Sequence, residues 1–310
     1  TAPNGTTNAD RITSNGSLTL GGIEAGATVE YSIDGGLTWA SSFTAVEGSN
    51  TVAVRQTDLA GNTSSAGSLT FTLDTTAPIA PGVSLAFDSG ISGIDTISND
   101  GSLSLSGIET GAIVEYSTDN GATWGTSFAA IEGANSVQVR QIDLAGNASN
   151  IGSLDFTVDT AAPTATIVAS DTALKAGEST QVTITFSEAV TGFTNADLDL
   201  SLANGTLTTV ATTDGGQTWT AVFTPAVDLD STDNVITLKD ASILDLAGNA
   251  NSGSVDSNHY AIDTAIPVAP TVGLTSDTAP NGTTNADKIT SNSSLTLGGI
   301  EAGATVEYSI

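Results

Sequence analysis

The chain has 310 residues, no cysteine and no methionine, with 34 Asp and Glu against six Lys and Arg and a formal net charge of −28. That balance excludes binding to nucleic-acid backbone, which needs basic patches, and sets the chain against anionic membrane surfaces. Without cysteine there is no disulfide and no thiolate metal site, no apolar run is long enough for direct membrane insertion, and the length fits two or three domains.

In chain order the elements fall into repeats. The first stretch offers SLTL at 17–20, ATVEYSI at 27–33, TVAVRQTD at 51–58 and SLTFTLD at 68–74. These alternate apolar and polar residues, as half-buried strands do. DTTAP at 74–78 then opens a second unit and returns as DTAAP at 159–163 and DTAIP at 263–267. DLAGN at 58–62 returns at 143–147 and 245–249. In the second unit strands are expected near 82–87, 102–106, 112–117, 123–125, 128–131, 136–142 and 153–158. Seven short strands in roughly 100 residues suit an immunoglobulin-like sandwich. The third unit is longer and diverges inside. Residues 278–310 repeat 1–33 with Lys288 for Arg11 and Ser293 for Gly16. The fold class expected is therefore all-β, a tandem array of immunoglobulin-like β-sandwich domains. Their expected limits are 1–73 (without a first strand), 74–158, 159–262 and 263–310, the last being the N-terminal part of a further domain. With no starting methionine and incomplete outer units, a window of a longer chain is expected.

The form Ser/Thr-x-Asp-x-Gly-x-Thr-Trp occurs at 32–39, 117–124 and 212–219. It matches the Asp-box of sialidase-type β-propellers, but a blade recurs every ~40–45 residues, about half the spacing here. A sialidase also needs an arginine cluster and a tyrosine nucleophile. Arg55 and Arg140 instead sit at one point of one repeated strand, and Arg11 lies in a loop. The motif reads as a hairpin tip. Asn120 and Gly121 take positive φ there, the Asp carboxylate accepts from amides just beyond it, and the Trp ring folds back on the sandwich. The lone histidine, His259, suits a structural role, and acidic residues repeated once per unit do not suit an active site. No enzymatic activity is expected.

Sandwich topology places the B–C and F–G loops at the end where the chain enters. It should bring together Asp74, Glu109 and Asp143 in the second unit, and Asp159, Glu188 and Asp245 in the third. The outer units hold fragments of the same set, Glu24 and Asp58 at the start and Asp263 and Glu301 at the end. Three close carboxylates repel unless a cation sits among them. Ca²⁺ takes six to eight oxygens; zinc would need His or Cys, and Mg²⁺ prefers to keep its waters. The plainer reading is that Asp74 and Asp143 cap turns and Glu109 is solvated. A second acidic group, Asp10, Asp88, Asp95, Asp277 and Asp287, occupies the A–B loops and is expected to reach the next linker. Asp228, Asp230 and Asp233 form one more acidic loop. With no flexible spacer beside these prolines, a bound cation would stiffen each junction.

The combination DTTAP, GIEAGATVEYSIDGGLTW, VRQTDLAGN and VTITFSEAV…DLAGN…YAIDT resembles the bacterial immunoglobulin-like extender repeats of giant type I-secreted adhesins, the biofilm-associated and repeats-in-toxin kinds. The resemblance covers essentially the whole chain. It implies calcium-stiffened domains, secreted and held at the bacterial cell surface, that keep a distal binding region away from the cell. Their partners would be neighbouring repeats of the same chain, with head-to-tail self-association also open. Two other roles remain on the sequence alone: a glycan- or cell-binding module, and a self-associating component of biofilm matrix or filaments.

Overall fold

The computed structural model describes residues 10–275 and 292–309. Among these the chain is all strand and turn apart from one 3-10 turn at Asn195–Asp197. No helix of the described residues is long and apolar enough to cross a membrane.

The second repeat is a two-sheet sandwich. One sheet runs Ile97–Ser98, Gly152–Val158, Gly133–Ile142, Ile113–Ser117 in spatial order, parallel at its first pairing and antiparallel after it. The other pairs Gly82–Leu85 with Leu103–Ser106. Val137, Val139, Phe156 and Val158 are buried between them against Val83, Leu85, Leu103 and Leu105. The strand period of two selects this face: Val137, Val139 and Gln141 alternate inward. Tyr116, Phe128 and Phe156 line up beside this core with centroids 6.1 and 6.3 Å apart.

The first repeat has the same four-stranded sheet, in the order Ile12–Thr13, Gly67–Leu73, Gly48–Thr57, Thr28–Ser32, and the same aromatic ladder of Tyr31, Phe43 and Phe71. Residues 18–21, Leu-Thr-Leu-Gly, form no strand there. The identical stretch Leu295–Gly298 is a strand, because Thr271–Leu274 pairs with it. The third repeat is larger. Thr180–Phe186 and Thr218–Pro225 sit central in a five-stranded sheet, and Ala173–Lys175, Tyr260–Asp263 and Asp230–Asn234 form a second sheet. Its core includes Leu174, Ile184, Phe186, Phe223, Ile236, Leu238 and Ile262.

Two expected strands of the second repeat are not strands. Residues 123–125 make only an isolated bridge, Tyr116 to Gly125. Residues 128–131 have no ladder partner, because a side chain supplies one. Asn135 accepts from the Ile131 amide at 2.9 Å and donates to the Ile131 carbonyl at 2.7 Å. Asn50 does the same for Val46 in the first repeat. The short parallel strand Ile97–Ser98 was not expected; Thr96 turns into it with φ 60°. The acidic loop of the third repeat is partly strand: Asp230 pairs with Asp263, while Asp233 faces the exposed His259 ring.

Phe223 is fully buried. Phe223→Ala should cost about 3–5 kcal/mol, as large-to-small core changes do. The check is urea denaturation of the full chain followed through its tryptophans.

Candidate metal centre

The hairpin motif is a hydrogen-bonded turn in all three copies. In the second, Asn120 and Gly121 have φ of 58° and 82°. The Asp119 carboxylate accepts from the Thr123 amide at 2.8 Å and the Thr123 hydroxyl at 2.6 Å, and the Ser117 hydroxyl donates to it at 2.7 Å. Those bonds, the Thr123 hydroxyl foremost, hold the carboxyl at about 2, below its usual 3.8. Asp214 is held at about 2 by the Thr218 amide and hydroxyl and the Thr212 hydroxyl. Trp124 donates to the Gly121 carbonyl at 3.1 Å, and Arg140 lies 4.1 Å over its ring while pairing with Glu115 at 2.7 Å. Arg55 repeats this on Trp39. These arginines brace a hairpin and are not gathered around a substrate.

The F–G turns carry the acidic residues that matter. Asp143 is buried and its carboxylate accepts from both the backbone and the side-chain amide of Asn147, each at 2.8 Å. The same Asn147 side chain donates to the Asp74 carbonyl at 2.9 Å. Asp74 and Asp143 are thus tied to one junction. Glu109 is not joined to them in a group of three: its amide donates to Gln141 Oε1 at 2.7 Å and its side chain is exposed. Gln141 also donates to the Ile79 and Gly107 carbonyls, at 2.8 and 2.9 Å. This glutamine was missed by the sequence reading. Its inward phase in an apolar strand is the signal that marks it, since a buried amide needs partners.

The third repeat assembles a fuller site. Thr180–Phe186 ends in buried Phe186, and the chain turns through Ser187 and Glu188 into Val190–Thr191. Ser187 is fixed from both sides by Thr164, its amide donating to the Thr164 carbonyl at 2.9 Å and its hydroxyl accepting from the Thr164 amide at 3.0 Å. Val190 pairs with Asp245, which is fully buried. Gly216, at φ 106°, lies against this pair, where an added Cβ would fall 2.4 Å from the Val190 carbonyl oxygen. Asn249 donates to the Asp159 carbonyl at 2.7 Å, as Asn147 does to Asp74. Asp159, Glu188 and Asp245 each bring an oxygen within 4.8 Å of the others. Among the described residues this is the group of three His, Cys, Asp or Glu close enough to hold one metal ion. The donors are all oxygen, the set a hard cation such as Ca²⁺ takes.

Of the remaining candidates, several hold turns. Asp58 accepts from the Asn62 backbone and side chain, each at 2.8 Å, and the Asn62 side chain foremost lowers its pKa. Glu24 is exposed, its amide on Gln56 at 2.8 Å. Asp10 and Asp95 cap the starts of the short parallel strands, accepting from Ile12 and Ile97 at 2.9 and 3.1 Å. Asp88 accepts from Thr96 at 3.2 Å with one oxygen, while its other oxygen is buried without a hydrogen bond. Asp263 and Glu301 are exposed. Asp277 and Asp287 lie outside the described residues.

Two measurements check this geometry. A carboxyl with a lowered folded pKa stabilises above its unfolded value and loses that contribution as pH falls through the folded one. The hairpin of Asp119 should therefore loosen between pH 3.8 and about 2. Asp119→Asn should remove that dependence, read as Thr123 amide exchange against pH. Asn147→Ala leaves the Asp74 carbonyl and Asp143 short of a donor and should cost about 1–3 kcal/mol by urea denaturation.

Among curated protein sequences none matches the chain. Among solved structures the chain is similar to the D00–D0 domain of intimin, at 14% identity and TM-score 0.28, covering 59% of this chain and 98% of that one. It is similar to FdeC, an Escherichia coli adhesin, at 17% identity and TM-score 0.27, covering 84% and 71%. It is similar to the sialic acid binding region of a Streptococcus sanguinis SK1 adhesin, at 12% identity and TM-score 0.24, covering 73% and 56%. The fold class is all-β, with immunoglobulin-like sandwiches in tandem. Residues 159–262, the stretch that contains all three clustered carboxylates, match the family model of a bacterial Ig-like domain.

Proposed function

We propose that this chain is a calcium-stiffened extender segment of a bacterial surface adhesin, secreted and extracellular, and that its role is mechanical and not catalytic. The observation that carries the reading is the Asp159, Glu188 and Asp245 group. Buried Asp245 starts the F–G turn, Glu188 lies in the turn that follows a core strand, and Asp159 begins the linker. A cation on these three would tie the linker to the body of the sandwich. Like charges this close disfavour joint ionisation unless a cation neutralises them. The repetition of the linker and F–G motifs through the chain fits a spacer, whose units do one job several times.

Calcium should raise the melting temperature of the full chain and EDTA should lower it. Binding at 100-fold above the dissociation constant adds about 2.7 kcal/mol per site. Asp245→Asn should remove most of the calcium shift while the fold persists in EDTA, and isothermal titration should show one site fewer than wild type. Equal melting curves in calcium and in excess EDTA would sink the metal assignment. Small-angle scattering tests the extender role separately: the maximum dimension should grow when calcium is restored to EDTA-treated protein.

A further inference from the structure

The third repeat has a ladder that the second repeat lacks. Thr218–Pro225, the strand that carries Trp219 away from its hairpin, pairs with Thr180–Phe186. In the second repeat the chain leaves the Trp124 hairpin through residues 126–130, which form no strand, and Leu103–Ser106 pairs with Gly82–Leu85 alone. Among the described residues, 126–130 make no hydrogen bond through backbone or side chain.

A pocket of about 490 Å³ lies between residues 100–103 and 126–130, with Tyr116 in its wall. Its walls meet at both ends. At one, Tyr116 and Gly125 exchange backbone hydrogen bonds of 2.7 and 2.9 Å. At the other, Gly101 is so close to Ala130 that an added Cβ would fall 2.3 Å from the Ala130 Cβ. An extended peptide cannot run through such a space, whereas a compact ligand can sit in it.

The first repeat builds the same pocket from the corresponding residues, about 450 Å³ between 15–18 and 41–45 with Tyr31 in its wall. Tyr31 and Ala40 exchange hydrogen bonds of 2.8 Å, and an added Cβ on Gly16 would fall 2.5 Å from the Ala45 Cβ. Residues 41–45 also make no hydrogen bond among the described residues.

The lining joins an aromatic ring to polar groups that have no partner. Tyr116 is half-buried and stacks on Phe128. Among the described residues the hydroxyls of Tyr116 and Tyr31 make no hydrogen bond, while that of Tyr260 donates to the Ala203 carbonyl at 2.9 Å. Thr126 and Ser127 add exposed hydroxyls, and Ser41 and Ser42 do so in the first repeat. Asp100 accepts from the Ser102 amide at 2.9 Å, and its counterpart Asn15 accepts from the Ser17 amide at the same distance. A carboxylate and a carboxamide oxygen both accept from a ligand hydroxyl, but only the carboxylate attracts a cation. What the two pockets share is therefore an acceptor and not a charge.

We propose that each of these two pockets binds one neutral monosaccharide unit. The tyrosine ring meets the C–H face of the sugar, and the Ser, Thr, Tyr and Asp or Asn groups bond its hydroxyls. Acidic sugars are repelled by Asp100 and by a net charge of −28.

The test is saturation-transfer NMR of the full chain. The neutral probes are the methyl glycosides of mannose, galactose and N-acetylglucosamine, and the anionic probe is N-acetylneuraminic acid. Transfer should reach at least one neutral probe and not the anionic one. Ser127→Trp with Ser42→Trp fills both pockets from exposed positions and should abolish the transfer. Asp100→Ala with Asn15→Ala removes the shared acceptor without adding bulk and should weaken binding about tenfold, as loss of a hydrogen bond does. Ile94→Trp, 91% exposed and outside the pocket lining, should follow wild type. The proposal is overturned if no neutral probe receives transfer, if N-acetylneuraminic acid receives as much, or if the alanine pair binds like wild type.

Discussion

The asparagine that closes the second and the third F–G turn grips the linker by its backbone, and the rest of the junction depends on that grip. Asn147 satisfies both oxygens of buried Asp143 and, with the same amide group, the carbonyl of Asp74. Asn249 holds the Asp159 carbonyl in the same way. A buried carboxylate is tolerable only when it is paired or hydrogen-bonded. Here the turn supplies the bonds, and the linker is fixed as a consequence.

Small sandwiches of this kind bury little, and the chain compensates with side-chain amides used as structural members. Among the described residues, the core cluster of the second repeat has four buried apolar residues and that of the first has three. Around them Gln141 closes the B–C loop and Asn135 stands in for a missing strand partner. Each bond contributes modestly when made and costs more when one partner is lost. Domains with small cores are marginally stable in general, so a ligand that binds only the folded form shifts them by a large fraction of their stability.

The third repeat differs in kind. Its core is several times larger and includes aromatic contacts such as Phe186 with Phe193 and Phe193 with Trp219, each at 5.3 Å. It also gathers a three-carboxylate group, whereas in the second repeat Glu109 is exposed and forms no such group with Asp74 and Asp143. The shared F–G turn therefore sits on two bodies with cores of unequal size, and the acidic residues that look equivalent in sequence are not equivalent in space.

The sequence by itself determined the strand alternation, the repeat of linker and F–G turn, and the hairpin at each Asp-x-Gly-x-Thr-Trp. These are local matters: inward phase, positive φ at Asn120 and Gly121, and a carboxylate that reaches the next amides. The tertiary structure decided what depends on a distant partner. Leu-Thr-Leu-Gly is a strand at 295–298 and not at 18–21, since only the later copy has Thr271–Leu274 to bond with. Residues 128–131 have strand-like sequence but no ladder, since Asn135 takes the bonds a neighbour would have made. The set of Asp159, Glu188 and Asp245 was legible as a loop assignment. That the corresponding Asp74, Glu109 and Asp143 do not form such a group was not, because closeness within a few ångström is set by how each loop packs and not by where it lies in the chain.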